Sequence, residues 1–255
     1  MEKALYREMY EMETRHWWFV ARRRIVLELL RRYLVAEKAR PRVLDLGCGT
    51  GSMLQALEEL GEATGMDVSE EALAFASTRT RARLLKGNIP EDLAGLQEEF
   101  DAVLMLDLLE HLDADKKAVT AAADLLAEGG VLLLTVPAYR WLYSPRDRFH
   151  HHRRRYSRRE VRDMVRGAGL SEVFTSYYNC LLFPPAAAQR LWSRLSRVEP
   201  GPDLREPPAM LNSLLEIVFS TERFLLGRVP FPWGLSVVSV ARKGCRHLDS
   251  HAWKG

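Results

Sequence analysis

At 255 residues, 47% hydrophobic and 28% charged, the chain has the material for one large domain, or one domain with an insertion. A net charge of +3 exerts no global pull toward nucleic acid. Cys48, Cys180 and Cys245 are few and scattered, which excludes a disulfide framework or a zinc spacing and makes a reducing cytoplasm the expected setting.

The opening MEKALYREMYEMETRHWW has no apolar signal core, and no run of about 18 apolar residues follows, so no spanning helix is expected. Residues 1–40 read as helical, with Ile25, Leu29, Leu30 and Leu34 at helical spacing and arginines between them. The aromatic cluster His16-Trp17-Trp18-Phe19 fits core packing or a lid over a ligand. From Pro41 strands and helices alternate, which predicts a parallel sheet with right-handed crossovers. Strands are predicted at 42–46, 63–67, 82–86, 100–106 and 131–136, with helices at 52–60, 70–78 and 114–127 between them. Ser69 is the expected N-cap of the second of these helices, and Glu128-Gly129-Gly130 the expected C-cap of the third.

Ten arginines fall between Arg140 and Arg166. Ser157 and Glu160 form a capping box, so a helix is expected to start there and run to about Arg166. Two more strands are predicted at 172–178 and 235–242. The stretch between them holds a helix near 186–197 with Leu191, Trp192 and Leu195, a Pro-rich linker at 200–208, and an apolar helix near 209–226. A connection that long is usually functional: an acceptor lid, a dimer interface or an interfacial membrane contact.

The chemistry centres on Val43 to Leu54. A short apolar strand runs into Gly47, Gly49 and Gly51, and a helical pattern opens after them. Such a loop brings bare backbone against a ligand at the carboxyl edge of a parallel sheet. Asp67, closing the second apolar run, could take ribose hydroxyls. The spacing G-x-G-x-G differs from the dinucleotide fingerprint G-x-G-x-x-G, and Asp45 precedes it. Asp107, Glu110 and His111 follow the fourth strand, where ligands sit in such sheets.

Together, the acidic residue with G-x-G-x-G, the Asp107–Leu112 segment and the GlyGly–strand–Pro137 pattern resemble class I S-adenosylmethionine (SAM)-dependent methyltransferases over about 42–137. The resemblance implies an α/β, Rossmann-like, doubly wound, seven-stranded, mostly parallel sheet with an antiparallel last strand. It also implies SAM as cofactor. Gly47, Cys48, Gly49 and Gly51 would pass beneath the methionine part, and Asp45 would lie near its amino end. Asp67 and Val68 would face the ribose, Asn88 and Ile89 the adenine, and Asp107 and Leu108 the region of the methyl group. Asn88 departs from the family's usual Asp and is equally well read as a turn residue.

Asp147, His152, Arg154, Arg155 and Tyr156 resemble a subgroup motif in the loop that lines the acceptor pocket. With Trp18 and Tyr139, the last three are the expected acceptor contacts. His152 and His111 are the candidate bases. A Glu-His pair similar to Glu110-His111 has been linked to a divalent metal in ubiquinone O-methyltransferases. Here Glu110 is read as shaping its loop, the run His150-His151-His152 is discounted as a metal cluster, and no metal is expected.

The implied organisation is a lid at 1–40, a SAM-binding domain at 41–178 and 235–243, a helical insertion at 179–234 and a frayed tail at 244–255. The implied reaction is methyl transfer, O-methylation favoured, to a small or lipid-linked anionic acceptor. It would occur in the cytoplasm, with peripheral contact at the inner face of the membrane and a homodimer both open. Nucleic acid is disfavoured, since no RNA-binding module accompanies the basic stretch. The alternatives are a catalytically silent SAM or nucleotide binder that docks partners through its insertion, and an NAD-dependent oxidoreductase.

Overall fold

The computed structural model describes residues 3–34, 40–196 and 206–244. The predicted tail from 245 and the linker residues 200–205 lie outside the described residues, as do the side chains of Leu191, Trp192 and Leu195.

Seven strands form one sheet: β1 (Arg42–Leu46), β2 (Glu62–Asp67), β3 (Arg83–Lys86), β4 (Phe100–Leu106), β5 (Leu126–Pro137), β6 (Leu170–Tyr178) and β7 (Ser236–Lys243). Their order is β3-β2-β1-β4-β5-β7-β6, and β7 runs antiparallel to both its neighbours. This is the expected mostly parallel sheet with an antiparallel last strand. The strand order reverses between β1 and β4, the position at which open α/β sheets hold their ligands.

Successive side chains on the central strands point to opposite faces, so both faces must be covered. Leu44, Leu46, Val103 and Met105 pack with Val119 and Ala122 of α5 (Asp115–Asp124) and Val161 and Val165 of α7 (Arg158–Gly167). Val43, Ala102 and Leu104 pack on the other face. Their partners are Ile25 and Leu29 of α2 (Trp17–Tyr33), Leu54 of α3 (Ser52–Leu57) and Phe219 of α9 (Ala209–Thr221). Each fully buried Leu or Ile contributes roughly 1.5–3 kcal/mol by leaving water.

The predicted first helix is two. α1 (Lys3–Met12) ends before His16, whose Nδ1 accepts from Trp18 N at 3.3 Å and caps α2. Ser69 caps α4 (Glu70–Arg79), and the capping box of Ser157 and Glu160 starts α7, both as expected. The third predicted helix is shorter than its pattern. α5 stops at Asp124, and Glu128-Gly129-Gly130 lie inside β5 rather than capping a helix. The reason is pairing: Leu126 already sits opposite Phe100, and the register then shifts so that Val131 meets Ala102. The intervening residues bulge out of the ladder.

The connection from β6 to β7 holds α8 (Phe183–Ser196), α9 and a 3-10 turn at Glu222–Phe224. Asn212 of α9 accepts from Trp17 N at 3.0 Å and donates to Arg15 O at 2.8 Å. The connection is thereby fastened to the joint between α1 and α2.

Candidate active site

The carboxyl ends of β1, β2, β4 and β5 share one edge of the sheet. After β1, Gly47 N and Cys48 N both donate to Met66 O, at 2.8 and 3.1 Å, and Gly51 occupies the N-cap of α3. A Cβ on Gly47 would meet the Leu108 side chain at 2.9 Å, so the loops after β1 and β4 touch. Gly49 is different. Its φ is +54°, a region that side chains avoid, yet nothing lies within 4 Å of where its Cβ would be. The position keeps a bare backbone facing open space.

Asp67 couples this loop to the next. Its Oδ2 accepts from Gly49 N and its Oδ1 from Ser69 N, both at 2.9 Å. The carboxylate keeps further acceptor capacity for hydroxyls. Val68 beside it is 58% exposed. Cys48 is buried, and burial pushes its thiol up, so it offers backbone rather than a nucleophile. Asn88 is exposed at the end of β3, its N–H donating to Asp92 Oδ2 at 2.7 Å, and Ile89 is half-buried beside it.

Asp45 and Asp107, both expected cofactor contacts, share a charged cluster with a residue that the sequence did not single out, Arg22. Arg22 of α2 is ion-paired with Asp107 Oδ2 at 2.8 Å, and Thr135 Oγ1 donates to Asp107 Oδ1 at 3.1 Å. The Trp18 ring lies 4.9 Å from the Arg22 guanidinium. Burial opposes the charge on Arg22, but Asp107, Tyr178, Asp45 and Glu110 around it outweigh that and raise its pKa. Asp45 is buried, and its pKa rises to about 7 because desolvation exceeds the relief from Arg22. A signal for Arg22 did exist: at i+4 from Trp18, i−3 from Ile25 and i−7 from Leu29, it is a charge on the buried stripe of an amphipathic helix.

Glu13 was also missed. It is buried after α1 and accepts from Thr50 Oγ1 and from an Arg79 nitrogen. Arg79 stacks on Tyr10 at 3.9 Å. These contacts pin α1 across the glycine loop.

The second cluster follows β4. Glu110 is fully buried, and neither carboxylate oxygen has a hydrogen-bond partner. Desolvation, then Asp107, hold its pKa well above the ordinary value. His111 is pushed down to about 4 by burial and by His152, so it is neutral near pH 7. The His111 and His152 rings stand 4.8 Å apart, edge to face.

His152 Nδ1 lies 3.1 Å from Asp147 Oδ1, and its Nε2 is 4.0 Å from Glu110 Oε1. Burial works against the charge on Asp147. Hydrogen bonds from His152 and Arg155 prevail and hold it below the usual carboxylate range. The Nδ1 side of the His152 ring thus faces the Asp147 carboxylate, and its Nε2 side faces Glu110. Both histidines line a cavity of about 360 Å³ with Tyr143, Arg148, His151 and Arg153. Donor atoms of Glu110, His111 and His152 all lie within 4.8 Å of one another and could hold a metal ion. Only one member of the histidine run takes part.

Two expected acceptor contacts are corrected. Arg155 is buried, pairs with Asp147 Oδ1 at 2.7 Å and donates to Ala138 O at 3.1 Å. Tyr156 is buried, with its hydroxyl 2.9 Å from Asp115 Oδ2 and 3.1 Å from Leu109 O. Both groups are occupied within the fold. Arg154 is half-exposed but pairs with Asp115 at 3.1 Å. Tyr139, at φ 60°, stacks on Tyr177 with 4.9 Å between ring centres and lies 5.6 Å from Phe183.

The methyltransferase-domain family matches residues 18–173, more than half of the chain. The chain belongs to the class I SAM-dependent methyltransferases. Within this methyltransferase, one stretch is 35% identical over 100 residues to a ubiquinone biosynthesis O-methyltransferase of Dechloromonas aromatica, covering 37% of this chain and 43% of that one. The chain spans less than half the length of the curated relatives it matches. Solved structures similar in fold include a SAM-dependent methyltransferase of Archaeoglobus fulgidus, with TM-score 0.55, 20% identity and coverage of 86% and 94% of the two chains. Another is the methyltransferase in complex with the Haloferax volcanii Trm112 methyltransferase activator, with TM-score 0.61, 20% identity and 97% coverage of both. Membership in this family sets aside the NAD-dependent reading of the glycine loop.

Proposed function

We propose that the chain transfers a methyl group from SAM to a hydroxyl of a small or lipid-linked, anionic acceptor. The observation that carries this reading is that a bare glycine loop and a cluster of titratable side chains share one sheet edge: Gly47 lies against Leu108, and Glu110 and His111 follow Leu108 in the chain, with His152 beside them. The loop suits the cofactor because Gly49 faces open space and Asp67 is fixed by two backbone N–H groups with acceptor capacity left over. Asp67 and Val68 would take the ribose, Asn88 and Ile89 the adenine, and Asp45 and Arg22 the charged ends of the methionine part. When bound, SAM supplies an electrophilic methyl on its sulfonium.

The chain's own task is then to align the acceptor and remove its proton. His152 is our candidate base: Asp147 orients its ring through Nδ1, and the residue lines the cavity. His111, neutral near pH 7, is the neighbouring acceptor. Tyr139 and Trp18 offer aromatic surface, and Arg148 and Arg153 at the cavity suit an anionic group. We assign α1 and α2 as the cofactor lid and the β6–β7 connection as the acceptor-side cover.

The test is transfer of radiolabelled methyl from SAM to a panel of hydroxylated aromatic acids, free and prenyl-linked. His152→Ala is expected to lower kcat by about 10²–10⁴, with SAM affinity unchanged. Equal turnover in the variant would remove His152 from the chemistry. Methylation of amines alone would overturn the hydroxyl assignment.

A further inference from the structure

A second surface lies on the β6–β7 connection, apart from the two loops at the sheet edge. α9 packs on the body of the protein through Asn212, Phe219 and Ser220, all buried. Its opposite side presents Met210, Leu214 and Ile217, at i, i+4 and i+7, which are 88%, 56% and 61% exposed. The chain that follows continues the apolar surface with Phe224, Leu225, Val229 and Trp233, each more than half exposed. Exposed apolar residues at helical spacing mark a contact surface rather than scattered surface residues.

Charge sorts along this stretch. Glu216 is turned to Arg24 at 2.6 Å. Glu222 is buried and accepts from the backbone N–H groups of Asn179, Cys180 and Leu181 at 2.7, 2.7 and 3.1 Å. Glu206 pairs with Arg15 at 3.1 Å. The charges left beside the apolar face are Arg223, whose guanidinium lies over Phe224 at 4.7 Å, and the exposed Arg228. The platform is also held in place: Arg32 donates to Leu226 O at 3.1 Å and Tyr33 OH to Gly227 O at 2.8 Å.

We propose that this face lies on an anionic lipid bilayer, with α9 parallel to the surface. A helix with apolar side chains down, arginines at its border and a tryptophan at its rim matches the boundary between headgroups and acyl chains. Charge complementarity decides the occupant: among the described residues of the stretch, Glu206, Glu216 and Glu222 are each engaged elsewhere, and Arg223 and Arg228 border the apolar strip. The inference goes beyond the catalytic reading and does not depend on SAM. Phe231 bridges to Tyr177, on which Tyr139 stacks, so the face is continuous with the acceptor side.

The test sediments the full chain with vesicles of phosphatidylcholine alone and of phosphatidylcholine and phosphatidylglycerol in equal parts. The protein is expected to pellet with the anionic vesicles. Leu214→Glu with Ile217→Glu should weaken this at least about tenfold, at an unchanged melting temperature, since both side chains are exposed. Arg228→Ser should weaken it about fivefold on anionic vesicles only. Wild-type protein that stays in the supernatant overturns the proposal whatever the variants do. So does a double variant that pellets like wild type, and so does a dimer that the double variant dissolves while no vesicle is bound.

Discussion

Two loops at the same sheet edge make up most of the candidate site and are built in opposite ways. The loop after β1 is nearly all backbone, and at Gly49 it faces open space with φ +54°. The loop after β5 is dense with charge and spends part of it on contacts within the fold. Arg155 closes on Asp147, Arg154 on Asp115, and Arg153 donates from its Nε to His111 O at 3.0 Å. The comparison teaches that charge density in a sequence is a poor guide to ligand affinity. An arginine run can be the internal frame of a site, while the ligand is met by residues with almost no side chain.

The largest expected effect breaks that frame. Asp147→Ala leaves Arg155 buried without its partner and should cost about 3–5 kcal/mol of unfolding free energy, read by urea denaturation. Arg159→Ala, in the same basic stretch but 91% exposed by side chain and 3.8 Å from Asp163, should cost at most about 0.5 kcal/mol. Similar losses for the two would erase the distinction between internal and solvated arginines.

On the backbone-built side, Gly49→Val should weaken SAM binding by at least about 100-fold, since it strains φ and fills the open space. Asp67→Ala should follow, at about tenfold to 100-fold for a lost charge-assisted hydrogen bond. Calorimetric titration of both variants, each shown to be folded by circular dichroism at the temperature of titration, checks the pair.

The smallest effect is a pH dependence. Asp45 has its pKa raised from 3.8 to about 7 by burial. For an acid, a raised folded-state pKa favours the protonated fold, so this contribution to stability is present at low pH and declines as pH rises from about 4 to 7. A cationic ligand group beside Asp45 needs the ionised form, so SAM affinity should fall as pH drops through about 7. Asp45→Asn should flatten that profile.

Much of this was legible locally. Strand β1 and the caps at Ser69 and Ser157 each depend on residues close in sequence, where propensity and spacing act directly. What was hidden depends on partners distant in the chain. Arg22 reads as one of three consecutive arginines until folding sets it against Asp107. Glu110 reads as a loop residue until burial strips its carboxylate of partners. Arg155 reads as a ligand for anions until the turn at Pro145–Phe149 (α6) returns Asp147 to it. The extension of β5 back to Leu126 is likewise a pairing effect, set by Phe100 and not by the helical pattern before it.

The central claim is that the bare loop at Gly49 and the fixed carboxylate of Asp67 together hold the nucleoside. A crystal structure with S-adenosylhomocysteine tests it most directly. The account predicts ribose hydroxyls on Asp67 and the ligand's methionine part against Gly49. A nucleoside bound elsewhere, with Asp67 engaged only by its own two backbone N–H groups, would contradict it.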